Sequence, residues 1–191
     1  MSKSRLNSES YQGLEESLGY VFNSGTELLV RALTHKSHGA NNYERLEFLG
    51  DSLLGFIIAD ALFEKFPVAD EGQLTRLRAS LVRQETLAEI GRELDLGEYL
   101  ILGPGALKSG DHARDSILSD VIEAIIGVIY LDGGIVSCRQ FISRMYESRL
   151  ALCAPDAILK DPKTRLQELL QQKSQELPEY TVLDVSGPPH K

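Results

Sequence analysis

The sequence reads as an all-α domain followed by a short α-β segment, and three observations lead there. Residues 43–66 (YERLEFLGDSLLGFIIADALFEKF) and 116–131 (SILSDVIEAIIGVIYL) are apolar on nearly every side at helical spacing, as core helices are. The shorter segments around them carry the helical apolar period up to about residue 151. A strand pattern reads only at TVLDVS, near the C-terminus.

Taken in order, residues 10–18 form a first amphipathic helix, which Gly19 and residues 23–25 interrupt. Thr26 can cap a second helix running through Leu33. The polar loop THKSHGANN follows; its His35 and His38 lack a third metal ligand and suit phosphate contacts or a structural hydrogen bond. The long helix 43–66 comes next, with little of it expected to face water, and ends before Pro67. Asp70, Glu71 and Gly72 read as a turn, and QLTRLRASLVRQETLAEIGREL as helical throughout. Its Arg76, Arg78 and Arg83 form either a solvated face or a set of phosphate contacts.

Residues 99–114 are glycine-rich but lack P-loop spacing and read as an irregular loop. Asp115 or Ser116 starts the second core helix, Gly133 and Gly134 stop it, and a last amphipathic helix spans about 135–151. The domain is thus expected over residues 1–153 and a linker over 154–160. Residues 161–191 then read as a helix, a turn and a strand. On that helix Thr164, Gln167, Glu168 and Gln171 share one face, which suits either sugar hydroxyls or water.

Composition narrows the function. The 191 residues are 42% hydrophobic and 25% charged, ordinary for a globular protein. A net charge of −8 argues against a generic basic nucleic-acid binder, but not against an enzyme whose acids hold metal ions against phosphate. Cys138 and Cys153 have no ligand spacing and read as free thiols in a reducing compartment. The polar N-terminus is no signal peptide, and runs such as AIIGVIYL are too short for a bilayer. A cytoplasmic protein with no membrane partner is expected.

The chemistry-bearing feature is acidic. Glu44, Glu47 and Asp51 fall within an arc of about 60° on the first core helix. Asp120 and Glu123 are neighbours on the second. If these faces meet, four or five carboxylates converge, and two charges about 4 Å apart repel by roughly 4 kcal/mol at an effective dielectric of 20. Raised pKa values, a basic partner or a divalent cation could relieve this. An all-carboxylate set points to Mg2+ or Mn2+ rather than zinc.

NYERLEFLGDSLL resembles the signature of ribonuclease III, and SDVIEAIIGVIYLDGG that family's second acidic helix. THKS, EGQLTRLRASLV and DPKTRLQELLQ match further family segments in the same order, so that the resemblance covers about residues 11–190. It implies an all-α endonuclease domain, homodimeric through the signature helix. It also implies cleavage of double-stranded RNA to 5′-phosphate and 3′-hydroxyl ends with short 3′ overhangs, in rRNA and mRNA processing.

Position by position, Glu47, Asp51, Asp120 and Glu123 match the metal-binding carboxylates, with Asp51 and Glu123 catalytic, and Mg2+ as the ion that Mn2+ can replace. Glu44 and Glu71 match supporting acidic residues. Thr164, Gln167, Glu168 and Gln171 match the first helix of a double-stranded-RNA-binding domain, and His190 its minor-groove loop. That domain's pattern is α-β-β-β-α, and only its first helix and strand match. Residues after about 160 are accordingly expected to be disordered or held by neighbours. Two other readings compete: an all-α nucleotide pyrophosphohydrolase, and a protein that binds duplex RNA without cutting it.

Overall fold

The computed structural model describes residues 8–155 and, beyond them, 166, 167, 169–171, 173 and 178. The chain divides into two compact units, Met1–Pro155 and Asp156–Lys191. The first is helical, and its described residues contain no strand, only an isolated parallel bridge between Thr34 and Ile101.

Helix α1 (Ser8–Leu18) buries Tyr11, Leu14 and Leu18 on one stripe. It ends at Gly19, whose φ of 55° suits glycine. Arg144 donates to the carbonyls of Leu18 and Gly19 there. Helix α2 (Glu27–Ala32) starts after Thr26, whose side chain makes no capping bond. The THKS segment then pairs with residue 101: His35 N donates to Ile101 O at 3.0 Å, and Ile101 N to Leu33 O at 2.8 Å.

Helix α3 (Glu44–Lys65) buries Leu46, Gly50, Leu54, Ile57, Ile58 and Leu62. The expectation that little of it faces water does not hold for the single chain. Phe48, Phe56 and Phe63 are 77, 56 and 71% exposed. One side of α3 packs inward and the other carries these phenyl rings outward.

Asp70, Glu71 and Gly72 are a helix start and not a free turn. Asp70 and Gln73 exchange side-chain and backbone hydrogen bonds in a capping box that opens α4 (Glu71–Val82). The segment expected to be helical throughout is two helices, because Arg83 is extended (φ −68°, ψ 155°) and α5 (Gln84–Glu93) starts after it. The glycine-rich stretch is also more ordered than expected. A 3-10 turn at Leu96–Tyr99 leads into it, and it holds α6 (Pro104–Lys108), with Pro104 in the first turn, and a 3-10 turn at Asp111–Ala113.

Helix α7 (Asp115–Leu152) forms the centre of the unit, burying its apolar residues from Ile117 to Ile129 and Phe141, Ile142 and Tyr146 farther on. Gly134, at φ 72° and ψ −173°, breaks it where the sequence places a stop. By length and composition alone α7 could cross a membrane, which the reading of short apolar runs did not foresee; half of its apolar window is buried within the fold. That burial marks it as a core helix. Both α3 and α5 pack against it.

In the second unit, residues 166–167 and 169–171 are helical, and Lys173 N donates to Leu169 O and Leu170 O. The expected strand TVLDVS and the expectation of disorder after residue 160 fall largely outside the described residues.

Candidate metal centre

The crossing of α3 and α7 builds the site. Gly50 lies against the Glu123 carbonyl, where a Cβ would collide, and a Cβ on Gly127 would lie 2.5 Å from Leu46 O. Two glycines thus let the helix backbones touch, and the acidic residues beside them converge.

Glu47, Asp120 and Glu123 each present a carboxylate oxygen within 4.8 Å of the others, and all three are half-buried. Among the described residues, no histidine or cysteine joins this set. Burial, with the charges of Asp120 and Glu44, pushes Glu47 up to about 7. Burial, with the charges of Asp51, Glu47 and Asp120, pushes Glu123 up to about 8. Asp120 is raised as well, chiefly by burial, although a hydrogen bond from Tyr43 works against the rise. Lys36 opposes the rise at Glu47 and Asp120 but does not cancel it, so the three groups stay above the ordinary carboxylate range. Three oxygen donors with no nitrogen or sulfur fit a hard divalent cation such as Mg2+ or Mn2+.

Of the other expected residues, Asp51 is exposed beside the set and is the foremost charge acting on Glu123, without being one of the three that meet. Glu44 is exposed and pairs with Lys36 at 3.8 Å. Glu71 stands outside the set. It accepts a hydrogen bond from Thr75 Oγ1 and lines an apolar groove of about 670 Å³ with Phe56, Phe63, Leu74 and Arg78. Arg83 engages Glu85 and Thr86. His35 serves a structural hydrogen bond, its Nδ1 lying 2.7 Å from Ser37 Oγ. Gln167 is a half-buried and Gln171 an exposed helical residue, whereas Thr164, Glu168 and His190 lie outside the described residues.

Sequence reasoning missed Tyr43, which is 1% exposed and whose hydroxyl donates to Asp120 Oδ2 at 3.0 Å. It also missed Asn42, whose Oδ1 accepts from Glu44 N and caps α3. Their position just before the acidic face was the available signal.

Comparison with known proteins bears on the family and the fold. The profile of a family described as Ribonuclease-III-like matches residues 25–150. Ribonuclease 3 of Colwellia psychrerythraea is 55% identical over 186 residues, 97% of this chain and 70% of that protein. Ribonuclease 3 of Vibrio cholerae is 55% identical over 93% of this chain and 78% of its own length. Among solved structures, a ribonuclease III nuclease domain from Campylobacter jejuni, studied for flexibility in a region involved in dimer formation, superposes with a TM-score of 0.72. It is 40% identical and covers 74% of this chain and 99% of its own. Dicer from Pichia stipitis superposes with a TM-score of 0.57 at 27% identity, over 89% of this chain and 78% of its own.

Proposed function

The chain belongs to the ribonuclease III family and is an endoribonuclease for double-stranded RNA; from that premise we propose that Glu47, Asp51, Asp120 and Glu123 hold Mg2+, with Mn2+ able to replace it, and that Asp51 and Glu123 are catalytic. The observation that carries this reading is the meeting of Glu47, Asp120 and Glu123 from two core helices. A bound divalent ion supplies a nucleophile at neutral pH and draws charge from the phosphate. The four carboxylates would serve as its ligands in their deprotonated form, so its binding would compete with protons at Glu47 and Glu123, whose pKa values burial raises. Asp51, at the exposed edge, gives the cluster a side open to substrate.

The products under this reading carry 5′-phosphate and 3′-hydroxyl ends with short 3′ overhangs, and rRNA and mRNA precursors are the targets. The protein acts in the cytoplasm as a homodimer, with no membrane partner. Support for the dimer comes from the exposed Phe48, Phe56 and Phe63 on α3 and the apolar groove beside them, which a second copy would cover. Glu44 and Glu71 support the site. Residues 161–191 act as the first part of an RNA-binding domain, with Thr164, Gln167, Glu168, Gln171 and His190 toward the minor groove.

The test is incubation of the purified chain with duplex RNA, and separately with nucleoside triphosphates, with Mg2+ or with EDTA. Metal-dependent duplex cleavage is expected. Pyrophosphate release without duplex cleavage would make it a pyrophosphohydrolase, and duplex binding without cleavage in Mg2+ or Mn2+ would make it a binding protein.

A further inference from the structure

We infer that Tyr43 is a positioning residue for the carboxylate centre, its hydroxyl holding Asp120 turned toward Glu47 and Glu123. The inference rests on reading that centre as a divalent-cation site.

Asp120 stands among like charges, and left to itself its carboxylate would rotate away from them toward water. The Tyr43 hydroxyl, donating to Oδ2 at 3.0 Å, opposes that rotation. The donor is itself fixed. Its residue is 1% exposed, and its backbone N donates to Thr34 O at 3.0 Å. Its ring lies 5.7 Å from the His35 ring, and His35 is held by Ser37 Oγ, which accepts a hydrogen bond from Gly103 N.

The Tyr43 carbonyl also accepts from Glu47 N at 2.9 Å. One residue thus sets the backbone of a carboxylate on α3 and the side chain of one on α7. A phenol suits this work because it donates one directed hydrogen bond and brings no competing negative charge. Partners that orient a ligand in this way are worth about 10–100-fold in metal affinity.

The experiment is Mn2+ binding by titration calorimetry on the full chain, comparing the unaltered protein with Tyr43→Phe and Asp120→Asn, alongside circular dichroism and the KM for duplex RNA. Tyr43→Phe is expected to remain helical, to bind Mn2+ about tenfold or more weakly, and to keep its KM for RNA. A hydroxyl that only stabilised the core would lower the melting temperature and leave Mn2+ affinity unchanged, and that result overturns the inference. If Tyr43→Phe does not fold, His35→Ala removes the ring that flanks Tyr43 without altering a carboxylate. Weaker Mn2+ binding then supports the inference and unchanged binding overturns it. An unaltered chain that binds no Mn2+ sinks the metal centre and this inference together. Mn2+ binding that weakens in Asp120→Asn but not in Tyr43→Phe sinks the inference alone.

Discussion

Gly50 on α3 lies directly against the main-chain carbonyl of Glu123 on α7, with no room for a side chain between them. In an open helix, alanine in place of glycine would stabilise by about 0.5–1 kcal/mol. Here the added methyl has backbone for a neighbour, which cannot move aside as a side-chain end can. Gly50→Ala is therefore expected to destabilise by about 1–3 kcal/mol and to reduce Mn2+ binding and RNA cleavage together, because separating the helices parts the carboxylates. Gly105→Ala, with nothing within 4 Å of its Cβ position, should be neutral or slightly stabilising. Urea denaturation of both variants checks the contrast.

Glu47 and Glu123 give the metal-free protein an unusual pH response. Their folded values of about 7 and 8 stand above the ordinary 4.5, so the native state holds protons that the unfolded chain has released. The stability this contributes is fully present below about pH 4.5 and is lost as pH rises through 7 and 8. Urea midpoints in EDTA should thus fall between pH 5 and 8.5, and Mn2+ should restore them most at the upper end. Glu123→Gln removes the more strongly shifted group, so its midpoints should vary less over the same range while duplex cleavage falls by about 10²-fold or more. A slope as steep as that of the unaltered protein would show that Glu123 does not hold its proton.

How far the site could be read beforehand depends on the range of each contact. Glu47 with Asp51, and Asp120 with Glu123, are local spacings on single helices, so their faces were visible in the sequence. The stop at Gly134 was visible too, because glycine takes its φ of 72° without strain. The break at Arg83 was not, since neither proline nor glycine marks it and the helical period runs on through it. The hydrogen bond from Tyr43 to Asp120 spans 77 positions and no local pattern encodes it. The exposure of Phe48 escaped notice for a further reason. Apolarity all round a helix states that every face is to be covered, but not which faces the same chain covers.

Phe48 offers the sharpest test of that last point. A 77% exposed phenyl on a core helix has little reason to remain in water if a second copy covers it. Phe48→Ser should leave the fold intact, since the side chain touches little within its own chain, and should shift the protein from dimer to monomer at micromolar concentration. Analytical ultracentrifugation checks it. An unaltered protein already monomeric at that concentration would remove the dimer from the proposed function.

Asp132, nine residues after Glu123 on α7 but outside the acidic set, provides the last prediction. Its carboxylate accepts from the Tyr20 hydroxyl at 2.7 Å, from Asn23 N at 3.0 Å and from Ser24 N at 2.7 Å, tying the turn after α1 to the residues just before the Gly134 break. Burial pushes its pKa up, but the hydrogen bonds from Ser24, Tyr20 and Asn23 outweigh it and hold the group well below the ordinary carboxylate range. The sign is therefore opposite to that of Glu123: this stability is present above about pH 3.8 and is lost as pH falls below it. Hydrogen bonds to a charged group are worth about 1.5–3 kcal/mol, so Asp132→Ala should cost about 2–3 kcal/mol at pH 7. Part of that loss should remain in Asp132→Asn, whose amide turns two hydrogens toward groups that are themselves donors. Because the latch lies outside the acidic set, Mn2+ affinity at saturating folded protein should stay within about twofold of the unaltered chain. Thermal melts with and without Mn2+ separate the two effects: a lower melting temperature with an undiminished Mn2+-induced rise is the expected result, and a lost rise would mean that the break at Gly134 also governs the approach of α7 to α3.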